Sequence, residues 1–219
     1  MKLSAMACAG LLAASLSVTA TEEKSHGRHY EVTITNITKG QSFTPVLAMS
    51  HLPKTTLFTL ADPASDELET LAEGGDVGPM VTYLSGFTHS VGDIITTDGL
   101  LGPGESVSFE IDTSFVFSRF SMVAMMIPTN DTIVALSNVK FRNFTATYYA
   151  HAYDVGTELN DELCASIPGP VCGGEGVGVD GGEGFVHVAN GIAGHGDLDS
   201  SSYDWRGSVA RVVIKRVTD

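Results

Sequence analysis

Residues 29–37 read HYEVTITNI, and apolar and polar side chains alternate along this stretch. The apolar Tyr30, Val32 and Ile34 fall on one face, and the polar residues between them fall on the other. A period of two is that of a β-strand with one buried face and one exposed face. The stretch therefore predicts a half-buried strand.

Similar runs recur along the chain and are separated by clusters of Gly, Pro, Asn and Asp. Residues 119–127, RFSMVAMMI, are apolar on both faces, which is typical of a central buried strand. Pro45, inside the run 42–51, indicates an edge strand or a bulge. Many short strands at this spacing predict an all-β fold, an antiparallel β-sandwich. Further strands are predicted at 105–112, 139–144, 145–153, 184–192 and 208–217.

One helix is predicted, near 63–73, in the segment DPASDELETLAEGG (62–75). Asp62 can cap the helix, Pro63 suits its first position, and Gly74 can end it. Leu68 and Leu71 form the stripe expected to be buried. We expect the acids of this helix to lie on its exposed face and to complement the helix dipole.

The composition fits one sizeable domain and excludes one class of partner. The 219 residues carry 12 Lys and Arg against 26 Asp and Glu, a formal net charge of −14. Such a charge repels polyanions, so we expect no nucleic-acid partner. Charged residues make up only 17% of the chain, which is unlike a disordered acidic tail.

The first twenty residues predict a secretory signal peptide. They contain one Lys, a short apolar run and small residues that end at Ala20. The apolar run is too short to span a membrane as an anchor. Cys8 falls inside this peptide. The predicted organisation is a signal peptide at 1–20, a flexible mature N-terminus at 21–28 and one domain at 29–219. The expected location is periplasmic or secreted, with no transmembrane segment in the mature chain.

Two cysteines remain in the mature chain, Cys164 and Cys172. In an oxidising compartment, a pair this close in sequence predicts a disulfide. The alternative, a thiolate metal site, lacks the further Cys or His ligands that such a site needs.

Acidic residues cluster at residues 130–136, 153–164 and 194–204. Calcium takes six to eight oxygen ligands from carboxylates, carbonyls and water, and loops at one end of a sandwich can supply them. Acids on loops are also common without an ion. The segment GGEGVGVDGGEG (173–184) holds a single glycine- and acid-rich copy of a repeat, so we expect a flexible acidic loop there.

From about Tyr30 to Val217 the chain resembles the spondin-N domain family, the domain of F-spondin and mindin, in its bacterial form. The motifs that carry the resemblance are YEVTITNIT, the Thr-Pro pair in FTPVLAMSH, LAEGGD, GPGES, FSMVAMMIPTNDTIVAL, AYDVGTELNDELC, GEGFVHVANGI and DWRGSVARVVIKRV. The resemblance implies a β-sandwich similar to synaptotagmin-type calcium- and phospholipid-binding domains. It also implies one Ca²⁺ ion held by loop carboxylates.

The resemblance assigns three ligands. The family's Ser-Pro-Asp-Trp turn matches Thr129 to Thr132 here, which keeps the Asp as Asp131 and lacks the Trp. The family's Tyr-Asp-Ala-Gly-Thr-Asp matches residues 153–158, which keeps one ligand as Asp154 and replaces the other with Glu158. A Gly at 156 permits the turn that would bring 154 and 158 to one side of the loop.

Histidine offers a competing chemistry. His187 and His195 could meet near Asp197 or Asp199, and a His/Asp cluster suits zinc or iron. No HExxH spacing, nucleophile elbow or dinucleotide fingerprint accompanies them.

We therefore predict a secreted, non-enzymatic, calcium-binding β-sandwich that adheres to an extracellular or surface ligand, whether protein, glycan or lipid head group. The alternatives are a periplasmic metal-dependent hydrolase that uses His187 and His195, and a purely structural surface protein.

Overall fold

The fold is described by a computed structural model over residues 27–176 and 181–218. It is mostly antiparallel sheet with few helices, which confirms the predicted all-β sandwich. The predicted signal peptide at 1–20 lies outside the described residues, as does most of the predicted flexible segment 21–28. Arg28, the last residue of that segment, already belongs to the first strand.

Ten strands are present in the described part of the chain. They are β1 Arg28–Asn36, β2 Ser42–Phe43, β3 Leu47–His51, β4 Val91–Thr96, β5 Ser106–Thr113, β6 Arg119–Ile127, β7 Thr132–Lys140, β8 Ala146–Asp154, β9 His187–Val188 and β10 Ser208–Arg216. The run 42–51 is divided around Pro45, which has no N–H for a ladder. The run 184–192 yields only the two residues of β9, and the predicted strand at 139–144 overlaps only the end of β7.

Eight strands form one continuous path in the order β4-β3-β6-β7-β8-β10-β1-β5, while β2 pairs with β6 and β9 pairs with β8. All the pairings are antiparallel, and β1 lies between β5 and β10. The two ends of the path approach each other, because the N–H of Asp112 on β5 donates to Asp93 Oδ2 on β4 at 2.9 Å. The sheet is thus nearly closed around its core.

Three helices are found where the sequence predicted one. The helix α1 spans Asp66–Gly74, α2 spans Gly78–Ser85, and α3 spans Ser200–Tyr203. The N-cap of α1 is Ser65 rather than Asp62, because the Ser65 side chain accepts from the N–H of Leu68. The helix ends at Gly74 as predicted, and the next residue, Gly75, caps it with φ +70°.

The core has an inner and an outer part. The inward faces of the strands bury Tyr30, Val32 and Ile34 as their alternation predicts, together with Phe120 of β6. On the other face of β3, β6 and β7, the helices α1 and α2 cover a second apolar cluster. This second layer explains why β6 is buried on both faces from Phe120 to Ile127. In the described residues, no helix is both long enough and apolar enough to cross a membrane.

The disulfide between Cys164 and Cys172 is present, which confirms the predicted pairing. It closes a loop whose Ile167 packs with Ile192 and Leu198 in a small separate cluster. The loop that follows β8 is therefore attached to the segment around residues 192–198.

Candidate metal centre

Two neighbouring strands bring the predicted ligands to one end of the sandwich. Asp131 directly precedes β7, and Asp154 is the last residue of β8. The strands pair in the register Thr132 with Asp154, so the two acids are separated by one position across adjacent strands. Glu158 lies on the loop that leaves β8.

Asp131 is fully buried and anchors this loop. Its Oδ2 accepts from the backbone N–H groups of Thr157 at 2.8 Å and Glu158 at 3.1 Å. Its Oδ1 is also buried, but it has no hydrogen-bond partner among the described residues. Oδ2 thus positions the loop, and Oδ1 remains free to bind a ligand.

Glu158 is 2% exposed, and both of its carboxylate oxygens are buried without a hydrogen-bond partner in the described structure. The nearby amide of Asn130 instead donates to Asp161 Oδ1 at 3.1 Å. Burial of an ionised carboxylate without a partner is costly, so such a group either holds a proton or faces a cation.

Burial and mutual repulsion make these carboxyls costly to ionise together. Burial, followed by the charges of Glu73 and Asp131, raises the pKa of Glu158 to about 8. Burial, followed by the charge of Asp154, raises the pKa of Asp131 to about 6. Acids that repel one another in a buried space are stabilised together by one divalent ion.

Asp154 has more partners than the other two. Its Oδ1 accepts from the N–H of Gly156 at 2.9 Å, and its Oδ2 accepts from Asn160 Nδ2 at 2.8 Å. Burial is the main cause that raises its pKa. Gly156 adopts φ +72°, and a Cβ added there would overlap the carbonyl oxygen of Phe185. The turn expected at Gly156 is present, and it packs against the segment that leads into β9.

Glu73 was missed by the sequence interpretation, which placed the acids of α1 on its exposed face. That expectation fits the first turn, where Asp66 is exposed, but it is wrong for Glu73, which is 6% exposed. Glu73 lies one turn after Glu69, close enough to Glu158 to raise the pKa of that carboxyl. The one feature of the sequence that indicates its burial is its position directly after Ala72, which belongs to the buried stripe.

A second group of ligand-type atoms lies beside the first. One atom from each of Asp154, Glu183 and His187 lies within 4.8 Å of the other two. Among the described residues no group this close contains Asp131 or Glu158, so the three predicted calcium ligands are spaced more widely. Burial acts to lower the pKa of His187, but the Val188 carbonyl and the charges of Asp154 and Glu183 raise it overall. Glu183 was not singled out in the sequence because it lies in the glycine-rich loop.

His195 lies elsewhere. Its Nε2 contacts the carbonyl oxygen of Asn160 at 3.0 Å, and its Nδ1 is 3.9 Å from Glu162 Oε1. The sequence predicted that His187 and His195 would lie together near Asp197 or Asp199. The contacts of His195 differ from this prediction, and Asp197 instead accepts a hydrogen bond from the N–H of Cys164.

The remaining acids of the three clusters have structural hydrogen bonds. Glu162 is the clearest case, since its carboxylate accepts from the N–H groups of Ala193, Gly194 and His195 at 2.6, 2.8 and 3.0 Å. Asp199 caps α3, and Asp204 accepts from the N–H of Ile192. These acids accept hydrogen bonds from backbone N–H groups, whereas the carboxylate of Glu158 accepts none from the described residues.

The comparison with protein families gives one match. The family model described as Spondin_N matches residues 18–159, more than half of the chain. The matched range contains Glu73, Asp131, Asp154 and Glu158, and it ends before Glu183 and His187. No curated protein matches the chain.

Proposed function

The chain belongs to the Spondin_N family, and from that premise we propose that it is a non-enzymatic β-sandwich that binds one calcium ion and adheres to an extracellular ligand. The family and the Cys164–Cys172 disulfide mark it as an extracellular or secreted protein. The proposed ligands are Asp131, Asp154 and Glu158, with Glu73 as a fourth carboxylate.

The observation that carries the calcium proposal is the set of buried oxygens without partners. Asp131 Oδ1 and both oxygens of Glu158 point into protein without a donor in the described residues. Carboxylate oxygens alone, without nitrogen or sulfur, are the ligands of a hard cation. Backbone carbonyls and water would complete its shell. A bound ion would hold the loop after β8 against the start of β7.

Thermal unfolding with and without calcium tests the site. A ligand at about 100 times its Kd stabilises the folded state by about 2.7 kcal/mol. In a domain of this size that is a rise in Tm of about 5–10 °C. We expect the rise in wild type and its loss in Asp154→Ala. Absence of any shift in millimolar calcium would contradict the proposal.

The adhesion role is tested by arrays of glycans, anionic and neutral lipids and matrix proteins, probed with and without calcium. Calcium-dependent binding to one of these classes supports the role. Blank arrays together with self-association of the protein would favour the purely structural alternative. A hydrolase built on His187 and His195 receives no support from the contacts of His195, which are with Asn160 and Glu162.

A further inference from the structure

The imidazole of His187 faces two carboxylates at the edge of the proposed calcium site. His187 and Asp154 are register partners on β9 and β8, so their side chains share one face of the sheet. His187 Nε2 lies 3.3 Å from Asp154 Oδ1 and 3.4 Å from Glu183 Oε2.

The other ring nitrogen identifies the tautomer of the neutral ring. His187 Nδ1 lies 3.1 Å from the carbonyl oxygen of Val188, which can only accept, so Nδ1 carries the hydrogen. Nε2 is then a lone-pair donor, and it is buried without a hydrogen-bond partner. Three lone-pair-bearing atoms converge with no hydrogen between them, an arrangement that either a metal ion or an added proton would stabilise.

The donor set and the spacing distinguish the kinds of metal. Calcium takes oxygen ligands, whereas imidazole with carboxylates suits zinc and its neighbours in the first transition series. Two ligands held at about 2.0–2.1 Å by a tetrahedral ion are about 3.3–3.4 Å apart. Both Nε2–carboxylate distances have this value.

We propose that Asp154, Glu183 and His187 bind a transition-metal ion of the Zn²⁺ type, adjacent to the calcium site and sharing Asp154 with it. The Glu183 side chain is 44% exposed, so water can reach the fourth position. The Val188 carbonyl orients the imidazole in the manner of outer-shell partners in zinc sites.

The backbone holds this group in place. The N–H of Gly184, next to Glu183, donates to the carbonyl oxygen of Gly156 at 2.8 Å. A Cβ added at Gly182 would overlap the same carbonyl, so the chain can approach the Asp154 loop closely only with glycine there. The three ligands therefore come from two segments that are already joined by hydrogen bonds.

Isothermal titration of the full chain with ZnCl₂, in saturating calcium, tests the proposal. We expect one equivalent to bind in wild type, with His187→Ala and Glu183→Gln each weakening binding. For His187→Ala we expect a loss of at least about 100-fold, since removing an outer-shell partner alone costs about 10–100-fold. Replacement of Zn²⁺ by Co²⁺ should give a visible spectrum that disappears in His187→Ala.

His195→Ala is the matched control, because His195 is exposed and contacts Asn160 and Glu162 instead; it should bind zinc as wild type does. The calcium-induced rise in Tm should persist in His187→Ala, which separates this site from the calcium site. Zinc that binds equally to wild type and His187→Ala would overturn the proposal. So would zinc that displaces calcium one for one, or no zinc binding together with an imidazolium signal from His187 in NMR at neutral pH.

Discussion

The backbone N–H of Glu158 donates to Asp131 Oδ2 at 3.1 Å, while the carboxylate of Glu158 has no hydrogen-bond partner in the described structure. Asp131 thus fixes the backbone of Glu158, whose buried carboxylate lacks any partner of its own among the described residues. Asp131 has a structural role through Oδ2, whereas Glu158 has no structural hydrogen bond through its carboxylate in the part of the chain that is described. Mutation of each carboxylate should therefore have a different effect.

Glu158→Gln should abolish the calcium-induced rise in Tm while leaving the calcium-free protein as stable as wild type or more stable at pH 8. The amide removes a buried charge that nothing compensates in the absence of the ion. Differential scanning calorimetry at pH 8, with EDTA or with calcium, gives both values.

The matched control is Glu162→Gln, an equally buried acid on the same loop. Its carboxylate accepts three backbone hydrogen bonds, so the change should lower stability in EDTA but preserve the calcium response. If the two variants behave alike, the distinction drawn between these carboxylates is wrong.

Calcium affinity should rise with pH between about 6 and 8. The pKa of Asp131 is raised to about 6 and that of Glu158 to about 8, and calcium must displace any proton held there. Each proton released makes the apparent affinity change by up to about tenfold per pH unit. Calorimetric titration at pH 5.5, 6.5, 7.5 and 8.5 measures this slope; a flat profile would contradict it.

The calcium-free protein should show the opposite dependence. A carboxyl whose folded-state pKa lies above its ordinary value, 4.5 for Glu158, stabilises the fold fully below that ordinary value. This contribution is lost as the pH rises through the folded-state pKa of about 8. We expect Tm in EDTA to fall between pH 5 and 8, and to fall less in Glu158→Gln.

Glu73→Gln should weaken calcium binding without unfolding the protein. The side chain is buried, and its charge raises the pKa of Glu158, so we expect it to help to hold a cation there. Glu67→Gln, on the first turn of the same helix, is the control and should bind calcium as wild type does. Equal affinities in the two variants would remove Glu73 from the site.

Gly156→Ala should destabilise the protein by about 1–3 kcal/mol, because φ +72° is unfavourable for alanine and a Cβ meets the Phe185 carbonyl. Calcium should recover only part of the loss, since the turn itself is distorted. Urea unfolding measures the change in free energy. Gly99→Ala, with φ +66° and open space around it, isolates the cost of the backbone conformation alone.

The alternation of Tyr30, Val32 and Ile34 was sufficient to predict the strand class and its buried face, because the period of two depends only on local geometry. The second apolar layer was harder to foresee. Residues 78–85 contain Gly and Pro at the start of α2, and only Met80 and Leu84 of that helix are buried. So short a stripe gives a weak helical signal.

Only part of the candidate site could be proposed from the sequence, for a similar reason. Asp131, Asp154 and Glu158 belong to short motifs that can be compared residue by residue. Glu73 and Glu183 approach them only through tertiary packing, one from a helix and the other from a glycine-rich loop. The motif assigns Glu158 and not Glu162, but it does not show the physical difference between them, which lies in the backbone N–H groups that reach each carboxylate.

The most direct test of the calcium site is a crystal structure of the protein grown in calcium, with an anomalous difference map collected at a long wavelength. We predict a peak coordinated by Asp131 Oδ1 and the carboxylate of Glu158. A map without a peak between these two carboxylates, from crystals in saturating calcium at pH 8, would contradict it.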